Sequence, residues 1–283
     1  WCKRKPAVAA LVLLLLALGI AGPLVALKQS RLRADAVIAQ KQAEEAEATA
    51  VSALAAQVKA EADRRLAQAN SLRQATPEAA AIILGDLQSD TEGVQAALQN
   101  VLEDQSLLAL EKNRVRLGLL STDREQLEPI VDFLKSPEGQ RLKLQELLLI
   151  RGVLEPFGEE IAPGFIPLLE HAESRLRAAC LLAVFAGPDA DFWPDQAASV
   201  SQQLVNVLPS ELAPYRQLLR PVQQHLVGPL SAIYRDDSQG EQLRSFATDT
   251  LADYLSDDPA ALFDLLTDAD QKQFPVIYNK LAV

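Results

Sequence analysis

The chain has 283 residues, a net charge of −11 and no methionine, and 49% of its residues are hydrophobic. The acidity is concentrated: residues 1–33 hold six Lys/Arg and no acid, which leaves 21 basic against 38 acidic residues in 34–283. A body that acidic repels phosphate backbones and anionic lipid heads, which argues against nucleic-acid binding, and the two cysteines, Cys2 and Cys180, define no intrachain disulfide framework.

In chain order, a basic flank (1–6) containing Lys3, Arg4 and Lys5 comes first. It leads into Ala7–Leu27, a run without a charged residue. At about 1.5 Å of rise per residue, ~20 apolar residues match a ~30 Å hydrocarbon core, so 7–27 is expected to be a single transmembrane helix. A cleaved signal peptide fits less well, because its apolar region is shorter and Pro23 follows the best small-residue site, Ala21-Gly22. Lys28, Arg31 and Arg33, partly offset by Asp35, follow the span, and the charge balance mildly favours an N-terminus on the cytoplasmic side.

Residues 28–73 read as a helical stalk: after Lys28 the segment is rich in alanine and lacks Gly, Pro and aromatics. Val51, Leu54 and Val58 form a short heptad-like seam, which Glu44, Glu47, Glu61, Arg65 and Gln68 interrupt, so a solvated helix is expected in preference to a strong coiled coil. The segment Asn70–Pro77 breaks the helix, and 74–283 is expected to be an all-α domain because no alternating strand-like run of useful length occurs. No aromatic residue lies between Trp1 and Phe133, whereas twelve follow Phe133, so the best-packed body is expected from about 114 onward.

The domain also repeats. Segments beginning at Arg114, Arg175 and Gln242 resemble one another, and the aligned Arg116, Arg177 and Arg244 are 61 and 67 residues apart. Leu154-Glu155-Pro156-Phe157 and Leu219-Arg220-Pro221-Val222 are 65 apart. Segments starting at Leu134, Leu208 and Leu266 each read as ending one helix and capping the next. Such a period suits two helical hairpins, and stacked hairpins of this kind form HEAT-like α-solenoids, because one hairpin cannot bury its apolar face alone. The three arginines are expected to be structural, reaching acidic or carbonyl groups of a neighbouring hairpin.

The search for chemistry assigns no catalytic, cofactor-binding or metal-ligating residue, and no cofactor. His171 and His225 are the only histidines, with no metal-ligand spacing around them. P-loop, H-E-x-x-H, C-x-x-C, G-x-S-x-G and kinase motifs are all missing. The acid pairs Glu159-Glu160, Asp236-Asp237 and Asp257-Asp258 are expected to be solvated or to cap helices, and the loop Asp236–Glu241 lacks the register of a calcium loop. Cys180 reads as core filling. Cys2, at the expected membrane edge, is expected to be inert, with lipidation as the alternative.

The opening Trp1-Cys2-Lys3-Arg4-Lys5-Pro6-Ala7-Val8-Ala9, followed by a span, resembles the segment after the catalytic domain in planctomycete-type membrane-anchored serine/threonine protein kinases. Arg175–Phe185, Pro209–Pro221, Leu251–Leu262 and Ala269–Phe274 are similar to the HEAT-like module of some such kinases. The resemblance covers nearly the whole chain. It implies a kinase domain before Trp1, an N-terminus in the cytoplasm and a repeat domain outside it, acting as a sensor or scaffold. No kinase residue is carried over, because none is present, so this chain is expected to be non-catalytic and, with Trp1 in place of an initiator methionine, a fragment. The expected partner is a protein, and the acidity favours a basic one; oligomeric state is not readable. The alternatives are a signalling enzyme whose kinase domain lies outside this chain, or a secreted soluble adaptor.

Overall fold

The computed structural model describes residues 6–87 and 91–282, with side chains described for 37–87 and 94–282. Among the described residues every regular element is helical. The chain divides into two units, 1–64 and 65–283. In the first, α1 (Pro6–Gln74) is one continuous helix, and every residue from Val37 to Arg64 is exposed. Val51, Leu54 and Val58 are about 60% exposed, so the heptad-like seam has no partner within the described residues of this unit. Among the described residues no helix is long and apolar enough to cross a membrane; the span expected at 7–27 lies outside the residues whose side chains are described.

Among its described residues the second unit contains the last turns of α1 and thirteen further α-helices, with short 3-10 segments between some of them. They are α2 (Pro77–Leu87), α3 (Thr91–Leu102), α4 (Ala109–Leu119), α5 (Leu127–Lys135), α6 (Leu144–Leu154) and α7 (Gly158–Ile161). There follow α8 (Arg175–Phe185), α9 (Trp193–Leu204), α10 (Pro209–Leu219) and α11 (Gln223–Arg235). The series closes with α12 (Glu241–Tyr254), α13 (Pro259–Thr267) and α14 (Gln273–Leu281). The even-numbered helices from α2 to α14 start at 77, 109, 144, 175, 209, 241 and 273, intervals of 31–35 residues. Two consecutive intervals span 64–67 residues, which accounts for the 65- and 67-residue spacings visible in the sequence. The 61 between Arg116 and Arg177 is shorter because Arg116 lies late in α4 and Arg177 early in α8. Among the even helices α2 packs on α6, α6 and α8 pack on α10, and α12 packs on α14; α9 packs on α11, and α11 on α12.

Local chemistry explains the boundaries. Proline occupies the first turn of α9, α10 and α13, where its missing N–H costs nothing. Asp258 caps α13 by accepting the Ala261 N–H at 3.0 Å. Asp270 accepts the Gln273 N–H at 2.8 Å while Gln273 Oε1 accepts the Asp270 N–H at 3.0 Å, a reciprocal cap on α14. Leu208 differs from expectation: it opens α10 without ending the helix before it, which stops at Leu204. Gly187, at φ +72°, lets the chain turn after α8, and its carbonyl accepts the Trp193 indole N–H at 2.8 Å. Gly158 is required by a close approach, since a Cβ there would lie 2.8 Å from the Phe185 Cα.

The core is continuous and begins earlier than the aromatic distribution suggests. Ala69 and Leu72, on the stretch read as stalk, are fully buried, and Leu84, Leu98, Val115 and Leu119 extend the same cluster. Leucine and alanine fill this end, and Gly118 lets α4 approach Leu98 and Leu72 closely. Trp193, Phe165 and Tyr234 anchor the later part.

Buried arginines tie the helices together. Arg114 on α4 forms a bidentate pair with Glu146 on α6, at 2.9 Å (Nε–Oε1) and 2.6 Å (Nη2–Oε2). Its Nη1 donates to the Arg73 carbonyl at 3.1 Å and also to that of Ala75. Arg151 reaches the carbonyls of Cys180 and Leu218, Arg177 that of Leu142, and Arg216 that of Asp249. Arg244 donates to the Tyr234 carbonyl and pairs with Asp237 and Asp270. Arg177 and Arg244 thus have the expected structural role, but in α4 it falls to Arg114 and not to Arg116. Arg114 and Glu146 are 7% and 3% exposed, so removing one partner strands a buried charge. Glu146→Leu is expected to destabilise the fold by about 3–5 kcal/mol in urea unfolding, and Arg114→Met combined with Glu146→Leu to recover only part of the loss, because the Arg73 and Ala75 carbonyls then lose their donor.

Candidate partner-binding surface

Most of the described residues singled out for possible chemistry have structural roles. His225 sits beside Trp193, ring centroids 6.3 Å apart, and its Nε2 lies 2.7 Å from the Pro188 carbonyl. A carbonyl only accepts, so that nitrogen carries a proton and holds the turn between α8 and α9. His171 is exposed in the turn before α8, where its backbone carbonyl accepts the Arg175 N–H at 2.9 Å. Asp236 accepts the N–H and hydroxyl of Ser238 and the side chain of Gln239, so its loop is a side-chain-closed turn. Those hydrogen bonds hold its carboxyl below the ordinary pKa. Glu160 pairs with Arg124. Among the described residues no group of three or more His, Cys, Asp or Glu is placed to hold a metal ion. Cys2 lies outside the described residues.

What the fold does assemble is a grooved, acidic face around α5. In this nine-residue helix Leu127, Ile130, Val131, Phe133 and Leu134 are buried, while Glu128 and Asp132, one turn apart, are exposed. The Asp123 carboxylate accepts the Glu125 N–H at 3.0 Å and fixes the turn that leads into the helix. Beside α5, towards α7 and the turn at Ala162–Gly164, runs an open groove of about 1030 Å³. Its charged lining is Glu125, Glu128, Asp132 and Glu160 against Arg124 and Lys135.

The two cations are held in place. Arg124 pairs with Glu160 and lies 5.7 Å from the centre of the Phe157 ring; Lys135 stands at the same distance from the Phe165 ring. A second open groove, of about 780 Å³, lies between α7 and the end of α8. Glu155, Glu159 and Glu160 line it with no basic residue, and the backbone at Phe185–Gly187 adds the negative end of a helix dipole. Both grooves therefore favour a cationic ligand. The sequence signal for this face was the Glu128/Asp132 pair at helical spacing within an otherwise apolar segment, followed by the acids of 155–160.

No protein-family model, curated protein or solved structure matches this chain.

The interior holds groups that ionise only at high pH. Burial pushes the Cys180 thiol from 9.0 up to about 12, and the Tyr215 and Tyr234 hydroxyls from 10.0 up to about 12. Tyr234 donates to the Leu265 carbonyl at 2.8 Å, a bond the phenolate cannot make. Because these values are raised in the folded chain, their contribution to stability is intact below about pH 9. It is expected to be lost as pH climbs from there to about 12. Unfolding free energy measured against pH checks this, and Cys180 is expected to resist thiol reagents at neutral pH unless the chain is unfolded.

Proposed function

We propose that this chain is a non-catalytic, membrane-tethered helical-repeat region that works as a scaffold or sensor of a receptor-like serine/threonine protein kinase. Ala7–Leu27 is its single span, with the N-terminus in the cytoplasm and the repeat domain outside it. The helices recurring every 31–35 residues support a HEAT-like solenoid, in which each pair completes the core of the next. The kinase connection rests on the Trp1–Ala9 junction and the ordered motifs of the repeat domain. The span rests on hydropathy and flanking charge.

The observation that carries the binding role is the acidic, doubly grooved face built by α5, α7 and the end of α8. Such a face steers a basic protein segment towards it and discriminates against acidic ones. The reading is tested by titrating the full chain with a lysine- and arginine-rich peptide and with its glutamate counterpart. Only the basic peptide is expected to bind, more weakly as salt rises. Glu128→Lys with Asp132→Lys is expected to weaken it by about tenfold, or ~1.4 kcal/mol. Equal binding of the acidic peptide, or indifference to the double variant, would remove this face as the partner site. A phosphotransfer assay on the same chain is expected to show no activity.

A further inference from the structure

The groove on the opposite flank of α5 contains an arginine whose Nε the fold leaves without a partner. A groove of about 520 Å³ between α4 and α5 is lined by Lys112, Asn113 and Arg116 on one side and by Asp132, Phe133 and Ser136 on the other. Arg116 is half-buried, and its Nε has no hydrogen-bond partner. Burial pushes its pKa down with no carboxylate acting against it. Arg114, two residues earlier in the same helix and facing the other way, is the contrast: it is held by Glu146 and two carbonyls. A guanidinium drawn away from water without a counter-charge is costly, and the cost is recovered when an anion arrives.

A second group points to the same groove. Asn113 is 1% exposed and donates Nδ2 to the Ala109 carbonyl at 2.7 Å, which sets the amide's orientation. Its Oδ1 is left without a partner. The ligand therefore has an acid for Arg116 and a donor for Asn113. The charges lining the groove, Lys112 and Arg116 against Asp132 and Glu138, balance to zero. A doubly charged phosphate gains little there, whereas a singly charged planar carboxylate matches the guanidinium fork.

We propose that the α4–α5 groove is a carboxylate-binding site in which Arg116, helped by Lys112, holds the acid and Asn113 Oδ1 accepts an adjacent N–H. That pattern is presented by a peptide C-terminus and by a free amino acid. The proposal does not depend on the cationic partner of the other grooves.

Calorimetric titration of the full chain with N-acetylglycylglycine, its amide, glycine and inorganic phosphate tests it. The acid is expected to bind and to raise the Tm, and the amide and phosphate to do neither. Arg116→Gln is expected to lower affinity for the acid by at least about tenfold, and Arg116→Lys by less. Tm without ligand is expected to hold or rise in Arg116→Gln, which separates lost binding from lost folding. Stronger binding of N-acetylglycylglycine than of glycine assigns the site to a chain terminus, and the reverse to a free amino acid. Binding of the amide as tight as that of the acid, unchanged affinity in Arg116→Gln, or no binding of either acid would each overturn the proposal.

Discussion

The structure turns on one buried ion pair. Arg114 and Glu146 meet through two parallel hydrogen bonds, and the remaining donors of Arg114 close the carbonyls left open where α1 ends. Helix ends leave up to four carbonyls unsatisfied, and a long helix entering a packed body must satisfy them without water. A single guanidinium joins the end of α1, α4 and α6, so the first repeats and the last turns of α1 share one electrostatic centre. Apolar side chains of the same volume would give equal burial, but they would leave the Arg73 and Ala75 carbonyls unpaired.

The same device recurs along the domain. Arg151, Arg177, Arg216 and Arg244 each reach across to a backbone carbonyl of another element, and Tyr234 and Tyr254 do so with their hydroxyls. Most helices of this unit run 9–14 residues, too short to be stable in isolation. Their ends lie close together, and side chains from neighbouring helices supply the partners that longer helices would need less often.

How much of this was legible in the sequence depended on the range of the interaction. All-helical structure, the break before Pro77 and the caps at Asp258 and Asp270 follow from residues within one turn of each other, and they were readable. The 61–67-residue spacing was visible because alternate even helices are similar: α4, α8 and α12 carry the arginine phrase, while α6 and α10 both end at a Leu-x-Pro step. The choice between Arg114 and Arg116 was not readable, since it depends on which face of α4 meets Glu146, 32 residues away. The aromatic-poor start of the core was missed for a related reason. Aromatic content is a good guide where rings supply bulk, but Leu72, Leu84 and Leu98 close up around Gly118 with no ring present.

The inward use of arginine also shapes what the surface presents. Residues 34–283 carry 21 basic and 38 acidic side chains, but Arg114, Arg151, Arg177, Arg216 and Arg244 are turned towards backbone carbonyls or buried acids. Among the described residues one acid, Glu146, and one base, Arg114, are almost fully buried, and the other four arginines are half-buried. Turning these arginines inward takes positive charge away from solvent and makes the field at the surface more negative than the formal balance suggests. Around α5 the two cations are engaged within the fold, Arg124 with Glu160 and Lys135 over the Phe165 ring, while Glu128 and Asp132 remain in solvent. Arg116 breaks the pattern, a cation that the fold half-buries and then leaves without an internal partner. In a domain that finds a use for nearly every other inward arginine, that position is where recognition of an outside anion has the clearest physical basis.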